Sequence, residues 1–255
     1  MNLQVDVTDV VDATGLTGTR LIQHQRRKKD LIKLIAKHLP LGCRLLDVGC
    51  ASGDIATELG IMGYRVHGID FEPERLKRAQ RLAKKYGQDI TFTQSSFDDF
   101  DQRETFDGII LAEVLEHFSD PGVMLKKAEQ ILNEDGKIIL TTPNMPSLNN
   151  RLKFFFLGVF PDNNPEHKFY FDNRRLKEVI DGTNLIIKFF ETRYANLQTS
   201  LVFLTSLENV FFGWFPKLFP KSGNTIFAVL SMQTHSGIKG ARSEGDRPHK
   251  GSVPK

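Results

Sequence analysis

The chain has 255 residues, long enough for one large α/β domain with a substantial core. Its apolar content of 40% and charged content of 25% are ordinary for a globular protein. The formal net charge of +3 is matched by residues 234–255 alone, where Lys239, Arg242, Arg247, Lys250 and Lys255 face Glu244 and Asp246; the near-neutral body excludes the concentrated basic face that nucleic-acid binding requires.

Residues 1–20 show no clear periodicity and are expected to form a mobile arm. The opening segment is acidic and has no apolar h-region, so a secretory leader is not expected. Residues 20–39 place Leu21, Ile22, Leu31, Leu34, Ile35 and Leu39 near helical spacing, and Pro40 and Gly42 stop that helix. The basic run Arg26–Lys29 reads as a solvated face, with a ligand role as the sharper alternative. Cys43 and Cys50 flank a predicted strand roughly 23 Å long. A disulfide needs Cα atoms within about 7 Å, so no internal bridge is expected and a reducing compartment suits the chain.

An alternating rhythm follows. Residues 44–49 form a buried strand, then Gly53 and a helix to about Met62. Strand 65–70 leads to a helix that Pro73 opens, since proline suits a first turn. Strands at 90–96 and 106–113 follow, the second apolar enough to be buried on both faces. Pro121 opens a helix to Leu132, and a turn leads into strand 137–143. Strands alternating with helices predict a parallel sheet covered on both sides.

After Pro143 the character changes. Residues 144–171 read as an insertion rich in Asn, Pro and Phe. A helix is expected over 172–182, capped by Asp172 or Asn173 and stopped by Gly182. A strand at 185–194, a second insertion at 196–221 and a last strand at 224–233 complete the domain, the last two strands pairing antiparallel at one edge. The tail 234–255 is basic and expected to be disordered. No run of about 18 uncharged apolar residues predicts a membrane span.

The chemistry concentrates in residues 45–54, LLDVGCASGD. A buried strand ends in an acid and a glycine-containing turn, and a helix begins. Gly49 and Gly53 let the backbone turn tightly and approach a ligand, and the helix offers free N–H groups and a positive dipole end. Such a turn suits an adenosine cofactor at the carboxyl ends of the strands. Asp70 ends the next strand 21 residues after Gly49, where a carboxylate can accept from both ribose hydroxyls, and Phe71 is placed to lie against the adenine. Of the dinucleotide pattern GxGxxG, counted from Gly49, Ala51 and Asp54 occupy the other two glycine places. An acid at 54 would repel a pyrophosphate, whereas a phosphate-free cofactor with a charged amine and a sulfonium meets no such conflict.

These residues, with GID at 68–70 and the stretch 106–144 (FDGIILAEVLEHFSDPGVMLKKAEQILNEDGKIILTTPN), resemble the class I S-adenosylmethionine-dependent methyltransferases, in particular the small-molecule group of quinone-biosynthesis and glycan- or lipid-pathway enzymes. The resemblance covers about residues 25–233. It implies a Rossmann-like α/β/α sandwich whose seven-stranded, mostly parallel sheet has order 3-2-1-4-5-7-6 with strand 7 antiparallel. It implies S-adenosylmethionine as cofactor, with Asp47, Gly49, Cys50 and Gly53 forming the methionine-side turn. Asp70 would hold the ribose, Phe71 flank the adenine, Ser96 and Phe97 contact the adenine, and Ala112 and Glu113 sit beside the methyl donor. Two departures stand out. Ala51 replaces the usual middle glycine, which is tolerable if its φ is negative, and Ser96 replaces the usual acid.

Glu116–His117 are the sharpest catalytic candidates. A histidine titrating near 6.5 can accept a hydroxyl proton, and the bland reading is a structural histidine at a helix entry. His167 faces the acceptor pocket or is a plain loop histidine, and Asn144 can line that pocket. Fourteen of the 20 phenylalanines lie between Phe154 and Phe227. They cover the sheet edge, or they form an apolar acceptor pocket or a membrane-surface patch. Trp214 with Lys217 and Lys221 suits an interfacial segment over 201–221. No metal set is expected, since CxxC and HExxH are absent and the histidines are scattered; the GxSxG elbow of a serine hydrolase is absent too. The reading is therefore a cytoplasmic O-methyltransferase, able to sit peripherally at the inner membrane face, that acts on a small-molecule, lipid or lipid-linked glycan acceptor. An NAD-dependent oxidoreductase on a similar sheet and a non-catalytic cofactor-binding protein are the alternatives.

Overall fold

A computed structural model describes residues 4–101, 105–158, 164–194 and 223–233. The insertion 196–221, with Trp214, Lys217 and Lys221, and the tail 234–255 lie outside the described residues. The strands are β1 (Arg44–Val48), β2 (Arg65–Asp70), β3 (Thr91–Gln94), β4 (Phe106–Ala112), β5 (Leu132–Pro143), β6 (Leu185–Arg193) and β7 (Thr225–Met232). They form one sheet of order β3-β2-β1-β4-β5-β7-β6. All neighbours are parallel except β7, which runs antiparallel to both β5 and β6. Fold class, strand order and the reversed strand all match the expectation.

Period-two alternation explains why both faces are covered. In β1, Leu45 packs to one side and Leu46 to the other; Ile110 against Ile109 and Ile139 against Ile138 repeat the split. On one side lie helices α2 (Gly18–His38) and α3 (Asp54–Ile61), through Leu31, Ile35, Ala56 and Leu59. On the other lie α5 (Pro121–Gln130) and α7 (Asn173–Asp181), through Met124, Leu125, Leu176 and Ile180. The strand order reverses between β1 and β4, and in open α/β sheets ligands bind at the carboxyl ends of the strands flanking that reversal.

Two elements correct the sequence expectation. Residues 5–14, expected to belong to a mobile arm, pack onto the body. Helix α1 (Val7–Thr14) is capped by Asp6 and by the left-handed Gly15, and α2 already begins at Gly18. Val10 is fully buried with Leu82 of α4 (Pro73–Lys85), and Asp9 accepts from Lys85 and, at 2.7 Å, from Tyr86. The insertion 144–171 also carries a helix, α6 (Leu148–Leu157), capped by the Ser147 hydroxyl and ended by Gly158 at φ 61°. Cys43 and Cys50 are both free, as their spacing requires. Among the described residues no helix is long and apolar enough to cross a membrane.

Candidate functional site

The turn after β1 is clipped to the turn after β2 by one carboxylate. Asp70 is 3% exposed; its Oδ2 accepts from Ala51 N at 2.9 Å and its Oδ1 from Glu72 N at 2.9 Å. Cys50 N donates to Ile69 O at 2.9 Å, closing the same seam. Gly49 and Gly53 are needed for two reasons. Both lie in the left-handed region, at φ 65° and 75°, and a Cβ at Gly53 would come within 2.6 Å of Ala79 Cβ. Ala51 does not meet the condition set for it. Its φ is +47°, so it adopts the left-handed conformation without being glycine, at a cost of about 1–2 kcal/mol. The bond to Asp70 holds it there.

Two cavities border this turn, and a third adjoins them at Glu113. The largest, about 730 Å³, is lined among others by Gly49, Asp70, Phe71, Ser96, Phe97 and His117. Phe71 is 65% exposed at its rim, with the Arg75 guanidinium 5.9 Å from the ring centre. Phe97 is buried in the wall. Ser96 is spent on its own turn, its hydroxyl donating to Asp99 Oδ2 at 2.6 Å and accepting from Asp99 N at 3.1 Å. Asp98, two residues on, lines the cavity.

A smaller cavity of about 120 Å³ lies beneath the turn, lined by Asp47, Gly49, Cys50, Ala112 and Glu113 from the strand ends and by His24, Arg27 and Lys28 from α2. Asp47 is 2% exposed and its Oδ2 has no hydrogen-bond partner. Burial, and then the charges of Asp54 and Asp70, push its pKa up to about 8. Burial and the nearby carboxylates likewise raise the Cys50 thiol, so it is no thiolate at neutral pH. Asp54 behaves oppositely. Burial alone would raise it, but a bond from His24 Nε2 at 2.7 Å and the Lys28 ammonium at 3.5 Å hold it below its usual range. Lys28 also pairs with Glu58 at 2.9 Å and is 3% exposed. The basic run is split: Arg26 and Lys29 are exposed as a solvated face would be, whereas Lys28 ties α2 to α3 and Arg27 reaches the cavity. The charge of Asp54 is answered from α2.

The third cavity is a cleft of about 230 Å³ between α2, α6 and the ends of β5 and β7, and Glu113 borders all three cavities. Glu113 sits at φ 57°, its Oε2 3.3 Å from an Arg27 nitrogen and its Oε1 unpartnered. A positive φ in a non-glycine residue marks stored strain of the kind that clusters at functional sites. Asn144, expected to line this cleft, is 2% exposed and serves as a brace, its Nδ2 donating to Gly223 O at 2.6 Å.

His117 and His167 are brought together, their ring centres 5.0 Å apart. His117 lines the large cavity and His167 the cleft. His117 Nδ1 lies 3.1 Å from Glu166 O; if that nitrogen donates, Nε2 is left as the acceptor. Glu116 is buried beside them, taking a 3.0 Å bond from Thr142 Oγ1, with Oε1 unpartnered. Burial and the charge of Glu113 raise its pKa well above the carboxylate range. Glu116, His117 and His167 each offer one ligand atom, all within 4.8 Å of one another. The turn after β4 and the first insertion thus bring one carboxylate and two imidazoles together, a grouping that the absence of CxxC and HExxH does not reveal. Sequence spacing hid it because His167 lies fifty residues after His117.

A doubly wound sheet with a glycine-bearing turn, a buried acid ending β2 and cavities at the strand ends is the arrangement with which open α/β sheets bind nucleoside cofactors. The sequence profile of a methyltransferase domain family matches residues 21–187, and the chain belongs to that family. A mitochondrial ubiquinone biosynthesis O-methyltransferase from Bos taurus is 28% identical over 174 residues, 63% of this chain and 47% of that protein. A ubiquinone biosynthesis O-methyltransferase from Azorhizobium caulinodans is 33% identical over 119 residues, 46% of this chain and 45% of that one. The chain thus spans about half the length of the curated relatives it matches. Among solved structures, magnesium protoporphyrin IX methyltransferase from Synechocystis with bound SAH shares the fold with a TM-score of 0.60 at 16% identity, covering 88% of this chain and 92% of that one. The N-methyltransferase NodS from Bradyrhizobium japonicum does so with 0.53 at 15% identity, covering 83% and 97%.

Proposed function

We propose that this chain is an S-adenosylmethionine-dependent methyltransferase that methylates a hydroxyl of a small-molecule acceptor. The observation that carries the reading is a pair of buried acids at the ends of adjacent strands, Asp47 with an unpartnered oxygen and Asp70 with spare lone pairs. When bound, the cofactor supplies a methyl group on an already activated sulfonium.

The residues fit that ligand. A carboxylate has about four acceptor sites, so Asp70 can hold the turn together and still accept from two ribose hydroxyls. Phe71 would flank the adenine, with Ser96, Phe97 and Asp98 as the wall beside it. Gly49, Cys50 and Gly53 shape the methionine side, where Asp47 would meet the ammonium group. Ala112 and Glu113 would border the reacting centre, since Glu113 lies where the cofactor cavities meet the cleft. His117 and His167 would take the acceptor proton; oxygen as the attacking atom is supported by what the relatives are named for. Alignment in the cleft is the protein's main task, because the methyl carbon needs only in-line approach.

An NAD-dependent reading is disfavoured because Ala51 and Asp54 stand where the dinucleotide pattern GxGxxG has its second and third glycines. Intact Gly49, Gly53 and Asp70 disfavour a scaffold that has lost its cofactor. Phe154, Phe155 and Phe156 are 61, 79 and 72% exposed on α6 beside the cleft. They support an acceptor with a lipid-like part, such as a quinone or lipid-linked glycan precursor, and with it a cytoplasmic enzyme that touches the inner membrane face.

Calorimetry with S-adenosylhomocysteine and with NADH tests the cofactor assignment. Binding of the first and not the second is expected. Asp70→Ala should weaken the first by at least about 100-fold, because two hydrogen bonds to a charged group are each worth about 1.5–3 kcal/mol. Unchanged affinity in that variant overturns the ribose role.

A further inference from the structure

One carboxylate stands where the three cavities adjoin. We propose that Glu113 holds the positively charged sulfur of the cofactor, so that the site tells S-adenosylmethionine from its uncharged product by a charge contact. The proposal deepens the methyltransferase reading and rests on it.

Among the described residues three carboxylate oxygens are buried without a hydrogen-bond partner: Asp47 Oδ2, Glu113 Oε1 and Glu116 Oε1. A buried charge is tolerated only where something answers it. Asp47 lines the small cavity, where the ammonium group of the cofactor would answer it. Burial and the charge of Glu113 favour the protonated form of Glu116, which needs no cation. Glu113 is answered only in part. Its Oε2 lies 3.3 Å from an Arg27 nitrogen, and its Oε1 meets no donor.

The cavity linings place this side chain. Glu113 borders the large cavity, the small cavity and the cleft, and Arg27 and Glu113 are the residues that the small cavity shares with the cleft. Their ion pair is therefore the wall between those two spaces. In-line transfer brings the donor carbon and the attacking atom to about 3–3.5 Å, so a sulfonium on the donor side and an acceptor in the cleft must meet at that wall. A sulfonium there lies beside Glu113, and it brings the positive charge that Oε1 lacks.

The charge balance of the step agrees. A lone pair of the acceptor oxygen forms the new O–C bond, the sulfur keeps the electron pair of the breaking S–C bond, and the hydroxyl proton passes to the histidine pair. Positive charge thus moves from sulfur to imidazole. His117 shares the large cavity with Glu113, and His167 shares the cleft with it. The carboxylate therefore neighbours the positive charge before and after transfer. Its partner at sulfur is gone once the product forms, which favours product release.

The test is calorimetry on the full chain in EDTA with three ligands: S-adenosylmethionine, sinefungin, whose amine carries its charge in place of the sulfonium, and the neutral-sulfur S-adenosylhomocysteine. Both cationic ligands should bind at least about ten-fold more tightly than the neutral one, as an opposite charge within a few ångströms in a partly buried site allows. E113Q should bring that ratio to about one. R27Q, which leaves Glu113 unshared, should raise it, so the test stands even where E113Q does not fold. D47N should weaken all three ligands alike and keep the ratio, because each of them carries the ammonium group. Equal binding of the three ligands by the wild type, a ratio unchanged in E113Q, a ratio that falls in R27Q or is lost in D47N, or a preference that appears only when magnesium replaces EDTA overturns the proposal. Failure of all three ligands to bind overturns the methyltransferase reading instead, so the two failures are distinguishable.

Discussion

Asp47 is held in a state that only a cation would relieve. Its pKa moves from 3.8 to about 8 on folding because burial and two neighbouring acids oppose its charge. Between about pH 4 and pH 8 the folded protein therefore keeps a proton that the unfolded chain has lost. The extra proton is on the native side, so stability falls as pH rises through that window. Asp47→Asn keeps the shape and removes the titration. The variant should match the wild type near pH 4 and exceed it by on the order of 5 kcal/mol at pH 8, read by denaturant unfolding at the two values. The same change should weaken S-adenosylhomocysteine at least about ten-fold, since the ammonium loses its counter-charge. A variant less stable at pH 8 would show that Asp47 is ionised and satisfied in the native state. Ala51 is a second strained position. Glycine at φ 47° removes a cost of about 1–2 kcal/mol and adds unfolded-state entropy worth about 0.4–1 kcal/mol. Ala51→Gly should therefore gain a few tenths to one kcal/mol, read as a raised melting temperature; a loss would mean that the Asp70 clip does not depend on this conformation.

At the level of elements, α2 is positioned by buried charge as much as by its apolar stripe. Lys28 lies between Asp54 and Glu58 of α3, all three buried. Lys28→Ala leaves two acids facing each other without their cation, and breaking a buried pair in this way costs about 3–5 kcal/mol. A measured loss below about 1 kcal/mol would mean that water or protons replace the lysine. The sequence could not show this arrangement, because a run of four basic residues looks the same whether its partners are water or carboxylates on another helix. Helix α1 was illegible for the same reason: its anchors Lys85 and Tyr86 lie 76 and 77 residues from Asp9. In α6, three consecutive phenylalanines break the amphipathic period. The strands were legible because each is a short apolar run between prolines, glycines and acids, and burial on both faces demands such a run. Asp47, Gly49, Gly53 and Asp70 were legible because the strand-turn-helix context fixes where each lies. The positive φ of Ala51, the bracing role of Asn144 and the meeting of Glu116, His117 and His167 depend on tertiary geometry.

For the whole molecule, the cavities sit where β1, β2 and β4 end and where α2, α6 and the last strands close over them, so occupancy should be felt globally. A ligand that binds only the folded chain stabilises it by about 2.7 kcal/mol at one hundred times its dissociation constant. In a protein of this size each kcal/mol moves the midpoint by about 2–4 °C. S-adenosylhomocysteine at that concentration should therefore raise the melting temperature by roughly 5–10 °C, and NADH should leave it in place. Lys28→Ala offers a sharper form of the test. If α2 forms part of the cofactor site through Arg27, the variant should melt lower and also gain less from the ligand at the same concentration, because its affinity falls as well as its stability. If α2 only braces the sheet, the variant should melt lower but gain the full increment. A full increment would confine the cofactor to the turn after β1 and to Asp70, and would leave α2 to the acceptor alone.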